Sequence, residues 1–317
     1  MPKNHFRHFL RHFSCHSKMV RLLNLTLLLT FAVCAMPSRA DTLPLPPEKI
    51  NHPYPDVAIT ELHSAQSLVS YFDKRNYQLN TVYQTRVLPA IFVENLPSNL
   101  QALSVPEKTS TYIRLLLPTV VAVNAQILRV RHALLDISQK PKASWSDAEV
   151  AWVNALMTHY GVKNNDLNEL LLRVDIIPVG MALAQGIDES GWGTSHFAIA
   201  GSNLYGEHLP STGGKYLTTP GGNVKVAAFD NLYAGTASYM HNLNSTQAYR
   251  EMWQLRQQLR AQKRLTGDAL VGALIDYSTR GQAYVDNLRA LIHHHQLDHF
   301  DRVALTRTNP QVVRFAR

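Results

Sequence analysis

Ala184-Gln185-Gly186-Ile187-Asp188-Glu189-Ser190-Gly191-Trp192-Gly193-Thr194-Ser195 is the stretch on which the reading of this chain turns. Met181, Ala182, Leu183 and Ala184 make an apolar helix that Pro178 is pre-set to open and Gly191 to end, so Glu189 falls in its last turn. A carboxyl pressed against the Trp192 indole and short of water is disfavoured as an anion. It holds its proton toward neutral pH and suits a general acid, the chemistry of glycosidic bond cleavage. The plainer alternative is an ordinary helix C-terminus, with Glu189 solvated and Gly191 supplying only a positive φ.

Helical signals continue on both sides. Upstream, Ile113, Leu116, Leu117, Val120, Val121, Val123, Ile127 and Val130 recur at three-to-four residue spacing from Lys108 to about Leu135, and Pro118 is expected to kink or split that helix. Ser146 with Glu149 forms a capping box before an apolar stripe that stops at Gly161, and Asp166 with Glu169 repeats the start signal for a shorter helix through Val174. Downstream of Ser195 a short helix runs toward Ala200. Lys215 to Thr219 and Val224 to Phe229 then flank Pro220-Gly221-Gly222-Asn223, a hairpin signal. Asp230 or Asn231 caps the next helix, a basic helix follows from Ala248 to about Arg264, and the last helices surround Leu270 to Ile275 and Tyr284 to His293. The fold class expected is mainly α, with one small β-hairpin lobe.

Residues 1–40 read as an export signal: Lys3, Arg7, Arg11, Lys18 and Arg21 precede an apolar run from Leu22 to Met36, and Ser38-Arg39-Ala40 offers small residues for cleavage before Asp41. An uncleaved anchor is the alternative, and Cys34 after Val33 is a poor lipidation site. Six of the 31 basic residues and none of the 23 acidic ones lie in this leader, so the rest carries 25 against 23, a net charge of +2. Near balance does not call for nucleic-acid binding. Cys15 and Cys34 are both in the leader, which excludes disulfides and thiol chemistry from the remaining chain. About 277 residues going to an oxidising compartment without disulfides must rely on a hydrophobic core.

Glu189-Ser190-Gly191-Trp192-Gly193, Asn203-Leu204-Tyr205-Gly206, the hairpin, Asn242-Leu243-Asn244 with Tyr249, and Tyr277-Ser278-Thr279 with Tyr284 occur in an order that resembles the endo-β-N-acetylglucosaminidases of the flagellar-muramidase and autolysin type. Arg173-Val174-Asp175-Ile176-Ile177-Pro178 and the upstream helix look most like the Bax-like bacterial subgroup. The resemblance covers about Pro106 to Leu297. It divides the chain into a signal peptide (1–40), a Pro-rich linker and N-terminal extension (41–105), a glucosaminidase-like domain (106–300) and a C-terminal tail (301–317).

The resemblance implies a lysozyme-like helical fold with a cleft beside a small β-lobe, and an exported, monomeric enzyme of the periplasm or cell envelope. Its implied substrate is peptidoglycan, cut at N-acetylglucosaminyl β-1,4 bonds, and no cofactor is implied. Glu189 takes the place of the family's catalytic acid and Tyr277 that of the tyrosine beside it. Asn203 and Tyr205 fall in the segment that supports the site floor, with Trp192 shaping the acid's pocket and Tyr284 a further substrate contact. Membrane attachment is expected only if the leader is uncleaved.

The departure concerns a second carboxylate. Many members of the family it resembles carry a glutamate on or after the hairpin that is proposed to activate water, yet residues 215–229 contain no Asp or Glu, leaving Glu207 and Asp230 as the nearest candidates. Two-carboxylate mechanisms need separations of about 5–5.5 Å for retention or about 6.5–9.5 Å for inversion. A substrate-assisted route, in which the 2-acetamido group is the nucleophile and Glu189 acts as acid and then base, needs no residue this chain lacks. His293, His294, His295 and His299 with Asp298 suggest a metal site by type, but the hydrolysis needs none and none is expected. Tyr277 and Tyr284 are alternatively core aromatics, and Arg250, Arg256, Arg260, Lys263 and Arg264 a solvated face. Two rival functions remain: a lytic transglycosylase, whose usual Gly-Leu-Met-Gln after Glu-Ser is absent here, and a non-catalytic peptidoglycan-binding protein.

Overall fold

The computed structural model describes residues 42–210, 213–219, 221–222 and 224–316. The leader with Cys15 and Cys34 lies outside them, as do Pro220 and Asn223 of the hairpin turn. The helices are α1 (Ala65–Asp73), α2 (Leu79–Thr85), α3 (Val105–Ser138), α4 (Asp147–His159), α5 (Leu167–Arg173), α6 (Val179–Ser190), α7 (His196–Gly201), α8 (Leu232–Ser245), α9 (Arg250–Ala261), α10 (Gly267–Val271) and α11 (Gln282–His295). The strands are β1 (Ile59–Leu62), β2 (Val87–Leu88), β3 (Ile91–Val93), β4 (Tyr216–Thr218), β5 (Lys225–Ala227), β6 (Ala304–Leu305) and β7 (Gln311–Phe315). The architecture is mainly α, with β4 and β5 forming the antiparallel hairpin.

Helix starts follow their capping chemistry. Ser146 accepts the Glu149 N–H while the Glu149 carboxylate accepts the Ser146 N–H, and Asp166 and Asn231 accept the orphan amides that open α5 and α8. Pro118 does not split its helix: α3 is one continuous helix of 34 residues. A proline inside a helix removes the N–H owed to the carbonyl four residues back. Here that carbonyl, Arg114 O, accepts instead from the buried Tyr77 hydroxyl at 2.9 Å, so nothing is left unpaired where the helix would otherwise break. Among the described residues α3 is the one helix long and apolar enough to cross a membrane, and 83% of its most apolar stretch is buried within the protein.

The two ends of the chain meet in a sheet. β7 lies between β1 and β3, both parallel to it, with Ile59 opposite Val312 and Phe92 opposite Val312 on the other side. Asn95 extends the ladder by side chain, donating to Phe315 O at 2.9 Å and accepting its N–H at 2.8 Å. Residues 301–317, expected to be a tail, thus supply the central strand of this sheet, and β6 pairs with β2. Residues 42–54, read as an extended linker, lie on the helical core: Trp152 Nε1 donates to Pro44 O at 2.8 Å and Gln126 Nε2 to Leu45 O at 2.5 Å.

Between α5 and α6 the chain turns sharply in the interior, and side chains close its hydrogen bonding. Arg256 Nη1 donates to Asp175 O and Ile176 O, and its Nη2 to Leu172 O and Arg173 O, at 2.8–3.1 Å. Arg131 takes Leu171 O and Val174 O at 2.5 and 2.7 Å, and Asn124 takes Ile177 O at 2.6 Å. Every carbonyl from 171 to 177 therefore has a side-chain donor. Asp175 supplies the counter-charge, its carboxylate accepting both Arg260 Nε at 2.8 Å and Arg260 Nη2. Arg256 is consequently buried, not part of a solvated basic face; it shares the inward stripe of α9 with Met252, Trp253 and Leu259. Burial pushes its guanidinium down to about 10, which still leaves it charged at neutral pH.

Two outcomes follow for stability. Arg256→Met removes the side-chain donor of Leu172 O and Ile176 O and one of the donors of Arg173 O, Asp175 O and Asn244 Oδ1, and denaturant unfolding is expected to show a loss of about 3–5 kcal/mol. Tyr77→Phe is expected to cost about 1–3 kcal/mol by leaving Arg114 O unpaired. In a Pro118→Ala background, where residue 118 again has an N–H to give Arg114 O, the same substitution should cost clearly less. Equal costs in both backgrounds would show that the tyrosine does not serve that carbonyl.

Candidate active site

Helix α6 is buried along nearly its whole length, from Val179 to Ile187, and only its last turn reaches a cleft. Its N-terminus approaches residues 297–302 closely: a Cβ on Gly180 would stand 2.2 Å from Asp298 Oδ1, so only glycine fits there. Gly180 N donates to Asp301 at 2.9 Å and Gly267 N to the same carboxylate at 3.1 Å, so one aspartate caps both α6 and α10. At the other end Gly191, Trp192 and Gly193 all take positive φ, at 57°, 60° and 72°. For Trp192 that conformation is strained by about 1–2 kcal/mol. Ser190 holds the turn in place: its hydroxyl accepts Gly193 N–H at 2.8 Å and lies 2.9 Å from the Tyr112 hydroxyl, which donates to Gly186 O at 2.7 Å.

Glu189 faces a cleft of about 960 Å³, lined also by Tyr205, Gly206, Glu207, His241, Tyr249 and Tyr277 and by the base of the hairpin. Gly206 closes over the carboxyl so tightly that a Cβ there would lie 3.3 Å from Glu189 Oε2. Burial raises the Glu189 pKa above its ordinary value; a hydrogen bond from Tyr284 pulls it back, the Asp188 charge raises it and Arg280 lowers it. The direction of the Tyr284 bond is set two residues away. Tyr239 donates to Gln185 Oε1 at 2.6 Å, so Gln185 turns its amide toward Tyr284 and donates from Nε2 at 2.9 Å. The Tyr284 oxygen is thereby occupied as acceptor, which leaves its one proton free to turn toward Glu189, the carboxyl whose anion it favours.

The other residues singled out from the sequence fall into distinct places. Tyr277 stacks on Tyr284, ring centres 5.6 Å apart and planes 3° off parallel, and its hydroxyl donates to Tyr205 O at 3.0 Å. It forms a cleft wall with its polar end already engaged. Asn203 is buried and pins the segment over Glu189: it donates to Glu207 O at 2.8 Å and Ala227 O at 2.9 Å, and accepts from the amides of Tyr205 and Glu207. Trp192 has its ring contacts with Tyr112 and His295, whose centres lie 5.9 and 5.0 Å away. Tyr205 stacks on Tyr239 at 3.7 Å, behind the cleft lining it contributes to.

Of the two further carboxyls, Glu207 shares the cleft with Glu189. Asp230 is exposed, pairs with Lys215, and lines a separate depression with Glu94 and Arg314. Glu207 Oε2 accepts from Ser238 at 2.9 Å, while Oε1 is buried without a hydrogen-bond partner among the described residues. Burial pushes Glu207 up to about 8, opposed by the Ser238 bond and reinforced by Glu48, so it is neutral at pH 7. The histidines near the C-terminus do not gather: His293 pairs with Asp268 at 3.0 Å, His295 packs on Trp192 and His299 on Tyr83. The relay Tyr239–Gln185–Tyr284 was missed in sequence, although Gln185, four residues before Glu189, is the polar exception on a buried helix.

Residues 164–297 match the glucosaminidase family profile, described as mannosyl-glycoprotein endo-beta-N-acetylglucosaminidase. The chain is 33% identical over 196 residues to Protein bax of Escherichia coli (strain K12), an alignment covering 60% of this chain and 70% of that relative. The catalytic domain of the autolysin Auto from Listeria monocytogenes, a crystal structure, is similar at 15% identity with a TM-score of 0.31, over 52% of this chain and 93% of that domain.

Tyr284→Phe removes the hydroxyl that favours the Glu189 anion, so the Glu189 pKa should move further up. The check is a pH titration of carboxyl resonances by NMR, with Glu189→Gln identifying the signal. An unchanged or lowered midpoint would show that Tyr284 does not donate to this carboxyl.

Proposed function

This chain belongs to the Bax-like glucosaminidase family, a family of glycosidases, and on that premise we propose that it hydrolyses N-acetylglucosaminyl β-1,4 bonds of peptidoglycan with Glu189 as proton donor. The observation that carries the proposal is a carboxyl of raised pKa on the last turn of a buried helix, facing a cleft large enough for sugar rings. Peptidoglycan lies outside the cytoplasm, so the basic and apolar start of the chain is read as an export signal, with the enzyme acting as a monomer in the periplasm or cell envelope.

The chemistry is written with Glu189 in two roles. Protonated Glu189 gives its proton to the glycosidic oxygen as the C1–O bond breaks, and the carbonyl oxygen of the 2-acetamido group bonds to C1. The leaving sugar departs as an alcohol. Glu189, now a carboxylate, takes a proton from water, whose oxygen attacks C1 and expels the acetamido oxygen. Two inversions at C1 give net retention. Support for this substrate-assisted route comes from Glu207, which stands in the cleft but is neutral at pH 7 and so is not ready as a base or nucleophile. Tyr284 steadies the Glu189 anion formed midway, and Tyr277 and Tyr249, with ring centres 6.2 Å apart and planes tilted by 34°, give the cleft an aromatic side against which a sugar face can pack.

The test is mass spectrometry of soluble products released from purified peptidoglycan, before and after borohydride reduction, beside Glu189→Gln. Reducible N-acetylglucosamine ends are expected, with the rate falling about 10²–10⁴-fold in the variant while its fold is unchanged. Anhydromuramyl ends would instead identify a lytic transglycosylase, and no release from the native protein a binding protein.

A further inference from the structure

Glu48, in the N-terminal segment, meets two histidines that are distant in sequence: His159, the last residue of α4, and His241, in the middle of α8. His159 Nε2 lies 3.2 Å from Glu48 Oε2, while His241 Nδ1 lies 3.7 Å from Glu48 Oε1. That second separation is too long for a hydrogen bond, and His241 Nδ1 is buried with no hydrogen-bond partner among the described residues. The two imidazoles stack with centres 4.1 Å apart. One donor atom from each of the three side chains lies within 4.8 Å of the others. The chemistry assigned to Glu189 uses neither His159 nor Glu48, and it leaves a buried ring nitrogen aimed at a carboxylate it does not reach.

Two imidazole nitrogens and a carboxylate oxygen are the donor set that zinc and its neighbours take, with a fourth position open to water. Bonds of about 2.0–2.2 Å in a tetrahedral array put neighbouring donors about 3.4 Å apart; His159 Nε2 stands 3.2 Å from Glu48 Oε2 and His241 Nδ1 3.7 Å from Glu48 Oε1, so binding turns one carboxylate oxygen toward both rings and opens their stack. We propose that Glu48, His159 and His241 bind one divalent transition-metal ion of the zinc class, which staples the N-terminal segment to α4 and α8. The ion satisfies His241 Nδ1 and replaces a single hydrogen bond by three coordinate bonds across a sequence separation of 111 residues. The donor set does not include Glu189, and the site stands whether or not that residue is the proton donor, although a bound cation would offset the negative charge of Glu48 that helps to raise the Glu207 pKa.

The test uses the full-length chain, stripped by chelator and then given Co²⁺ as a spectroscopic probe or Zn²⁺ in thermal melts. One equivalent of Co²⁺ should give the intense visible absorption of a four-coordinate site. Zn²⁺ at ~100 times its dissociation constant should raise the melting temperature by about 5–10 °C. Both effects should vanish in Glu48→Gln and in His159→Gln, each with a far-ultraviolet circular dichroism spectrum like the native protein's. They should persist in a His293→Gln, His294→Gln, His295→Gln control. A pale six-coordinate Co²⁺ spectrum, no Zn²⁺ shift, or an equal shift in all variants would overturn the proposal and leave the trio a hydrogen-bonded cluster.

Discussion

Seven successive carbonyls, 171–177, run from the last turn of α5 through the protein interior, and neither helix nor sheet supplies their donors. A buried backbone acceptor left unpaired costs about 1–3 kcal/mol, so a segment like this exists only if something else donates to it. Arg256 and Arg131 bring fixed arrays of N–H groups, Asn124 adds one more, and Asn244 also reaches Asp175 O at 2.9 Å. Four helices, α3, α5, α8 and α9, are thereby tied to the turn that launches α6. The direction of α6, and with it the position of Glu189, depends on this arrangement of donors more than on any local preference of residues 174–178.

Downstream of that turn, one theme recurs around Glu189: each polar group is oriented by a neighbour that has its own orientation settled. Tyr239 orients Gln185, Gln185 orients Tyr284, and the Tyr284 hydroxyl is left free to favour the Glu189 anion. Asn203 fixes the loop whose Gly206 covers the same carboxyl from the other side. Burial raises the pKa of both cleft carboxyls, but their partners differ. Glu189 has a phenol and a nearby guanidinium that limit the rise, whereas Glu207 has one serine hydroxyl against its own burial and the negative field of Glu48. Two glutamates in one cleft are thereby given different protonation behaviour.

What was legible in the sequence was local. The starts of α4, α5 and α8 were visible because the capping residue and its partner lie three residues apart, and the site segment because Glu189 and two glycines adjoin. The misreadings all involve partners far along the chain. Pro118 looked like a break because the hydroxyl that replaces its missing N–H belongs to Tyr77, 37 residues from the carbonyl it serves. β7 looked like a tail because parallel pairing with β1 and β3 is made with residues more than 200 positions away, and two parallel neighbours leave no turn signal between them. Arg256 looked solvated by type, although its spacing from Met252, Trp253 and Leu259 puts it on the buried stripe.

The same distance argument explains the two-sided role of α8. Helical periodicity sends Tyr239, Met240 and Leu243 into the core, while Ser238, His241, Asn242 and Ser245 line the cleft. Ser238 is the hydrogen-bond partner of Glu207, and His241, one turn later on the same face, stands beside Glu48. The N-terminal segment therefore does not merely cover the core: it delivers a carboxylate to the helix that holds the second cleft carboxyl, and its charge is among the causes that keep Glu207 protonated. Removing that segment would change the protonation behaviour of the cleft as well as the packing behind it, because the first and last parts of the chain are built into one structure around the same few helices.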